Sequence, residues 1–291
     1  MKASFSDKMF YTFNYTMLTL IGLSCLLPLL HIVSLSFSES HAIHSGFVSI
    51  WPVGWELESY RVLFDNTRVI PALWNSVQIT VVGTVLSMIA TTLTAYPLSR
   101  NYFYGRRVFT LAMVFTMMFG SGLIPHYLVM KQYGLIDSYW VLWLPSLINT
   151  YNVLVMRTFF DNIPEEIDEA GRMDGCGEWT HLIRIVLPLS MPVIATLTLF
   201  NAVGYWNSFM NVLIYINDTE KYNLMVMIQQ MIKKDSVLSE VMALQPGDIA
   251  DVTGEGIKAA GIMVVVIPML IIYPFLQRYF VKGVMLGSVK G

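Results

Sequence analysis

Charge is what this 291-residue chain has least of: 13% Asp, Glu, Lys and Arg against 55% hydrophobic residues. A soluble domain carries about 25% charged residues, so the deficit points to lipid as the solvent. The net charge of −2 and the lack of any basic run give no footing for nucleic acid. Cysteine is nearly absent too. Cys25 lies in an apolar run and Cys176 in a hydrophilic one, so neither a disulfide nor a metal cluster is expected. The five histidines, His31, His41, His44, His126 and His181, are scattered, with no HExxH and no nucleophile elbow. No catalytic set and no metal site are expected. A phosphate-cradling GxxxxGK[S/T] loop is missing as well, so uphill transport by this chain would draw its energy from elsewhere.

Long apolar runs, by contrast, are plentiful. A spanning helix needs about 20 mainly apolar residues, and six stretches qualify: 13–37, 73–97, 108–128, 138–160, 187–215 and 257–280. The first is too long for the core of a signal peptide and is read as a retained span. In lipid every backbone polar group must be satisfied internally, and these runs do not alternate as barrel strands do. The expected fold is therefore all-α, a polytopic membrane helix bundle of six transmembrane helices.

Direction follows from Lys and Arg placement. With the N-terminus inside, the cytoplasmic segments hold eleven of these residues, including Arg100, Arg106 and Arg107 in one short loop, against seven outside. Residues 1–12 and 281–291 then form cytoplasmic tails around a transmembrane domain at 13–280. Outside loops are expected at 38–72 and 216–256, and a cytoplasmic loop at 161–190. No Asp, Glu, Lys or Arg lies centrally in any span, which disfavours an ion-coupled carrier. A membrane-embedded enzyme lacks a convergent reactive set.

The cytoplasmic loop is the most organised polar stretch. Pro164, Glu165 and Glu166 suit the first turn of a helix, and Ile163, Ile167 and Ala170 give it an apolar edge. Asp174-Gly175 reads as a turn. A second short helix is predicted from Glu178, with Trp179, Leu182, Ile183 and Val186 as its apolar stripe and Pro188 leading into the fifth span. The acidic residues at 165–169 are read as helix capping rather than as a carboxylate site.

Within this loop, Glu169-Ala170-Gly171, Asp174-Gly175 and Ile185-x-Leu187-Pro188 resemble the "EAA" motif of ABC importer permeases, with Gly171 in place of the second alanine. Asn75-Ser-Val, Ala95-Tyr-Pro-Leu-Ser-Arg100, Tyr205-Trp206-Asn207-Ser-Phe209 and the terminal Lys282-Gly-Val-Met-Leu-Gly-Ser-Val-Lys-Gly291 resemble the carbohydrate branch. The chain is similar to permeases of Gram-positive oligosaccharide and polysaccharide-fragment importers, relatives of the maltose-importer membrane subunits. That resemblance implies a type I ABC importer permease fold in a bacterial cytoplasmic membrane. It implies as partners a second homologous permease, two copies of an ABC ATPase carrying ATP and Mg, and an extracytoplasmic solute-binding protein. No cofactor is implied for this chain. Glu169, Ala170, Gly171, Asp174 and Gly175 would dock the ATPase.

Polar residues inside spans are candidates for the substrate pathway, because amides bond sugar hydroxyls and aromatic rings cover sugar faces. Asn201, Tyr205, Trp206, Asn207 and Asn211 lie in the fifth span, Asn75 and Gln78 in the second, and Asn149 and Asn152 in the fourth. The same residues also serve as interhelical packing groups or interface anchors in membrane proteins. A permease for another solute, such as peptide, amino acid or glycerol phosphate, is the alternative within the same class.

Overall fold

The computed structural model describes residues 5–173, 175–242 and 254–288. It resolves into two compact units, Met1–Val69 with Met227–Pro268, and Ile70–Val226 with Met269–Gly291. Among the described residues it is helical, with a lone bridge between Ser38 and Trp55 and no strand.

The first unit holds α1 (Phe5–Ser36), α2 (Ser40–His44) and α3 (Glu58–Asn66). The stretch 38–72, expected as an outside loop, is thus more structured than a connector. Phe37 sits 5.9 Å from the Trp55 ring and 5.2 Å from the Tyr60 ring, and the Tyr60 hydroxyl donates to Ser36 Oγ at 3.0 Å. Burial raises the Tyr60 pKa above the ordinary phenol value.

In the second unit α4 runs unbroken over Val69–Ser99. Its bundle face is a run of mostly small residues, with Ala72, Ser76, Ile79, Ser87, Thr91 and Ala95 all buried. The opposite stripe, Trp74, Val81, Val85, Ile89 and Leu93, is exposed. Hydrophobicity does not drive helices together in lipid, so small side chains that let backbones approach supply the packing. Next come α5 (Arg106–Met118) and α6 (Leu123–Gln132), then α7 (Trp140–Trp143), a 3₁₀ turn at Leu144–Ser146 and α8 (Thr150–Asp161). The loop helices are α9 (Glu165–Met173) and α10 (Glu178–His181). After a π-helical turn at Leu182–Val186 follow α11 (Leu187–Leu189), α12 (Met191–Trp206) and α13 (Met210–Tyr215). A 3₁₀ turn at Thr219–Lys221 leads to α14 (Leu224–Met242), and the last helix is α15 (Gly254–Ser288).

Three helices are long and apolar enough to cross a membrane: Asp7–Ser36, Val69–Ser99 and Gly254–Pro274. The number reaches five if each of two bent pairs is one span, so by this measure the described residues do not reach six. The third predicted span bends by 116° between α5 and α6, where Gly122 takes a φ of +74°. The fourth is cut by Pro145 in the 3₁₀ turn and by Asn149, whose side chain caps α8 by accepting from the Asn152 N–H. The fifth breaks at Ser190, with an 83° bend, and again before α13.

The stretch 216–256, expected as an outside loop, also departs from a loop. Its longest element is α14, and Gly254-Glu-Gly256, a turn signal by residue type, opens α15 instead. Gln245-Pro-Gly-Asp248, which reads as a turn by residue type, lies outside the described residues. Residues 216–223 are fastened down. Asp137 Oδ1 accepts from the N–H groups of Asn217 (3.1 Å) and Asp218 (3.0 Å), and Lys221 Nζ donates to the Asp137 carbonyl at 2.9 Å. These amide bonds, with Lys221 beside it, hold the Asp137 carboxyl below the usual aspartate range.

Candidate functional site

Two sites emerge, one at the 161–190 loop and one among the helix breaks. In the loop, α9 starts with Glu165, Glu166 and Asp168 in its first turn, where negative charge suits the helix dipole. It ends at Met173, and Gly175 adopts φ +74°, the left-handed conformation open to glycine at little cost. The Cys176 N–H then closes back on the Gly171 carbonyl at 3.0 Å. The two short helices and the turn match the sequence reading, although Asp174 itself lies outside the described residues.

One expectation is corrected. Leu182 and Val186 are buried, but Trp179 and Ile183 are 67% and 58% exposed, so the predicted stripe splits. The spacing assumed an α-helical period. The π turn at Leu182–Val186 adds an extra residue and rotates what precedes it. Ala170 is likewise exposed, while Ile163 packs against the core formed by Tyr96, Leu98, Val153, Met156 and Phe160.

The loop therefore has two faces. Glu169, Ala170, Met173 and Trp179 point outward. On the inner face Gly171 is buried beside His181, whose ring is 5% exposed. Asp168, read above as capping, pairs with the Arg100 guanidinium at the end of α4 and stands 3.0 Å from His181 Nε2. The Tyr96 hydroxyl donates to Glu178 Oε2 at 2.7 Å and lies 3.3 Å from His181 Nδ1, and Tyr102 donates to the same Glu178 oxygen at 2.8 Å. Sequence reasoning missed this cluster. There Arg100 served as a topological charge and as the end of the Ala95–Arg100 string, and the available signal for the cluster was a charge directly after an otherwise apolar span.

The second site is a cleft of about 560 Å³ lined by residues of α7, the 3₁₀ turn, α8 and α12. Asn149, Asn152, Asn201, Tyr205 and Asn211 line it together with Ser146, Ser208, Tyr151 and Phe200, and none of its lining residues is Asp, Glu, Lys or Arg. Its amides also tie helices together. Asn152 Nδ2 donates to Asn201 Oδ1 at 3.2 Å, and the Tyr205 hydroxyl meets Ser87 Oγ of α4 at 2.8 Å. Gly83 permits this approach, because a Cβ there would stand 2.7 Å from the Tyr205 ring.

The other pathway candidates fall elsewhere. Asn75 donates to the Glu220 and Tyr222 carbonyls at 2.7 and 3.0 Å, which makes it a fastener of the 216–223 stretch. Trp206 is buried, Asn207 is exposed and Gln78 is half-buried, and none of the three lines the cleft.

Comparison with known proteins follows the same lines. Residues 5–286 match the family described as binding-protein-dependent transport system inner membrane component. The chain is 40% identical over 285 residues to the polygalacturonan/rhamnogalacturonan transport system permease protein YtcP of Bacillus subtilis (strain 168), covering 98% of this chain and 99% of that protein. It is 38% identical to Protein LplC of the same organism, over 98% and 96% of the two chains. A crystal structure of a bacterial ABC transporter involved in the import of the acidic polysaccharide alginate contains a chain that superposes with a TM-score of 0.87 at 30% identity, covering 96% and 99%.

Proposed function

Since the chain belongs to the family of binding-protein-dependent transport system inner membrane components, we propose that it forms half of the translocation pathway of an ATP-driven importer of oligosaccharide fragments. The observation that carries this reading is the two-faced loop. Its inner face is fastened to α4 through Arg100, Tyr96 and Tyr102, while Glu169, Ala170 and Met173 present an outer face to a partner. A short helix pair with one side anchored and one side free is suited to helix-in-groove recognition.

In this reading Glu169, Ala170, Asp174 and Gly175 dock a separate ATPase, which holds ATP and Mg²⁺, while Gly171 lets α9 lie close against His181 on the inner face. The loop then faces the cytoplasm with both termini, consistent with the charge placement. A second, homologous permease completes the pathway, and an extracytoplasmic binding protein delivers the cargo, as the family description suggests. The names of the similar transporters favour polysaccharide fragments as that cargo. The uncharged, amide- and tyrosine-lined cleft supports sugar contact, since amides can bond sugar hydroxyls and aromatic rings can cover sugar faces.

Purification of the complex tests this directly. A co-purifying ATPase and ATP-dependent uptake of oligogalacturonides into proteoliposomes are expected. A Gly175→Pro variant forces φ from +74° to the proline range and should abolish uptake while the bundle still folds. A chain that purifies without any ATPase, or uptake left intact by Gly175→Pro, would overturn the proposal.

A further inference from the structure

A docking loop needs an outer face, yet the inner face here holds a buried ionic cluster that docking alone does not require. Arg100 is 5% exposed and His181 equally so. The guanidinium carbon lies 4.6 Å from the centre of the Tyr96 ring, and Nη1 donates to Asp168, while Nε and Nη2 have no acceptor among the described residues. A charge placed only for topology would sit in water or among headgroups. Nor is a buried pair an efficient stabiliser, because an apolar replacement of similar volume does as well or better. What a buried pair supplies is a fixed relative position, and here it fixes both loop helices to one turn of α4. Asp168 comes from α9, Glu178 and His181 come from α10, and all meet Tyr96 or Arg100.

The same helix reaches the cleft. From Tyr96, α4 continues without a break to Ser87 and Gly83, about 20 Å further along at 1.5 Å per residue. There it touches Tyr205 of the cleft wall, with the hydroxyl bonded to Ser87 and the ring against Gly83. We propose that Arg100 is a positioning residue for transport: with Asp168 and His181 it forms the joint that delivers movement of the docking loop to α4, and through α4 to Tyr205. This rests on the ATPase-docking reading of the loop.

The test uses the full complex in proteoliposomes, comparing Arg100→Gln and Asp168→Asn with the unaltered chain. Both variants should co-purify with the ATPase in the usual ratio and hydrolyse ATP at an undiminished rate. Uptake per ATP hydrolysed should fall about tenfold or more, the scale of loss seen when a reacting geometry is misplaced slightly. Tyr96→Phe, which deletes a single hydroxyl, should lower the same ratio less and keeps the test decisive where the charge variants fail to fold. An unchanged uptake-to-ATP ratio, or loss of the ATPase from the variant complexes, would overturn the proposal; the latter would mean that the cluster merely shapes the docking face. Hydrogen exchange on the complete chain separates the two readings. Absence of an ATPase with the unaltered chain defeats the docking reading. Exchange over residues 165–186 that is no faster in Arg100→Gln defeats the joint by itself.

Discussion

A Cβ placed on Gly171 would stand 3.0 Å from His181 Cδ2 and 3.1 Å from Ile185 Cδ1. Alanine therefore needs a shift of a few tenths of an ångström, whereas a branched side chain must push His181 away from Asp168 and Tyr96. Gly171→Ala is expected to leave thermal unfolding of the purified complex nearly unchanged, and Gly171→Val to cost about 1–3 kcal/mol, as overpacking does. Gly83→Ala is the sterner case, because the 2.7 Å approach is to the body of the Tyr205 ring. It should lower both the unfolding midpoint and uptake. Asp137 offers a third check. Its carboxyl titrates below the ordinary value of 3.8, so its contribution is fully present above that value and is lost as the pH falls through the lowered one. Hydrogen-exchange protection over 216–223, corrected for the intrinsic rate at each pH, should thus be steady from neutral pH down to mildly acidic conditions and fall only in stronger acid. Asp137→Asn should flatten that response.

Elements were legible where one period ran uninterrupted. The apolar runs of α1, α4 and α15 and the Gly175 turn of the loop could be read from residue type alone. The π turn at Leu182–Val186 could not, since nothing in Leu-Ile-Arg-Ile-Val marks a wider period, and the predicted stripe through Trp179 and Ile183 failed for that reason. The buried cluster was equally hidden. Asp168 sits in an acidic run that suits a helix N-terminus, and only the fold brings Arg100 to it across 68 residues. Because a π turn is an α-helix with one residue added, deleting Ile183 should restore the ordinary period. Trp179 and α10 would then keep their present orientation, because the wider turn already absorbs the added residue and its flanks do not rotate when it is removed. Retained ATPase co-purification, with the chain still running as a folded species in size-exclusion chromatography, is the expected result, whereas deletion of a residue within α9 should abolish it.

At the scale of the whole molecule, apolar surface is the dominant feature. Only 6% of the best apolar window of Asp7–Ser36 is buried, against 28% for Val69–Ser99 and for Gly254–Pro274. Phe10, Phe13, Leu20 and Leu23 are among the side chains this leaves for lipid or for another chain. Co-expression with the second permease is expected to raise the yield of monodisperse material, and deletion of residues 5–36 to remove that gain. The membrane class of the fold was legible from hydropathy. The count of spans was not, because helices broken at Pro145, Asn149 and Ser190 carry the same composition as unbroken ones.

Those breaks also decide what kind of surface the cleft offers. Its amides and hydroxyls carry no formal charge, so neither the hydroxyls nor the carboxylates of an acidic fragment would meet an ion pair along it. Such a wall would act as a low-friction bearing, with no salt bridge to break at any step. Selectivity then belongs to whatever loads the bearing, and one pathway can serve fragments of several lengths.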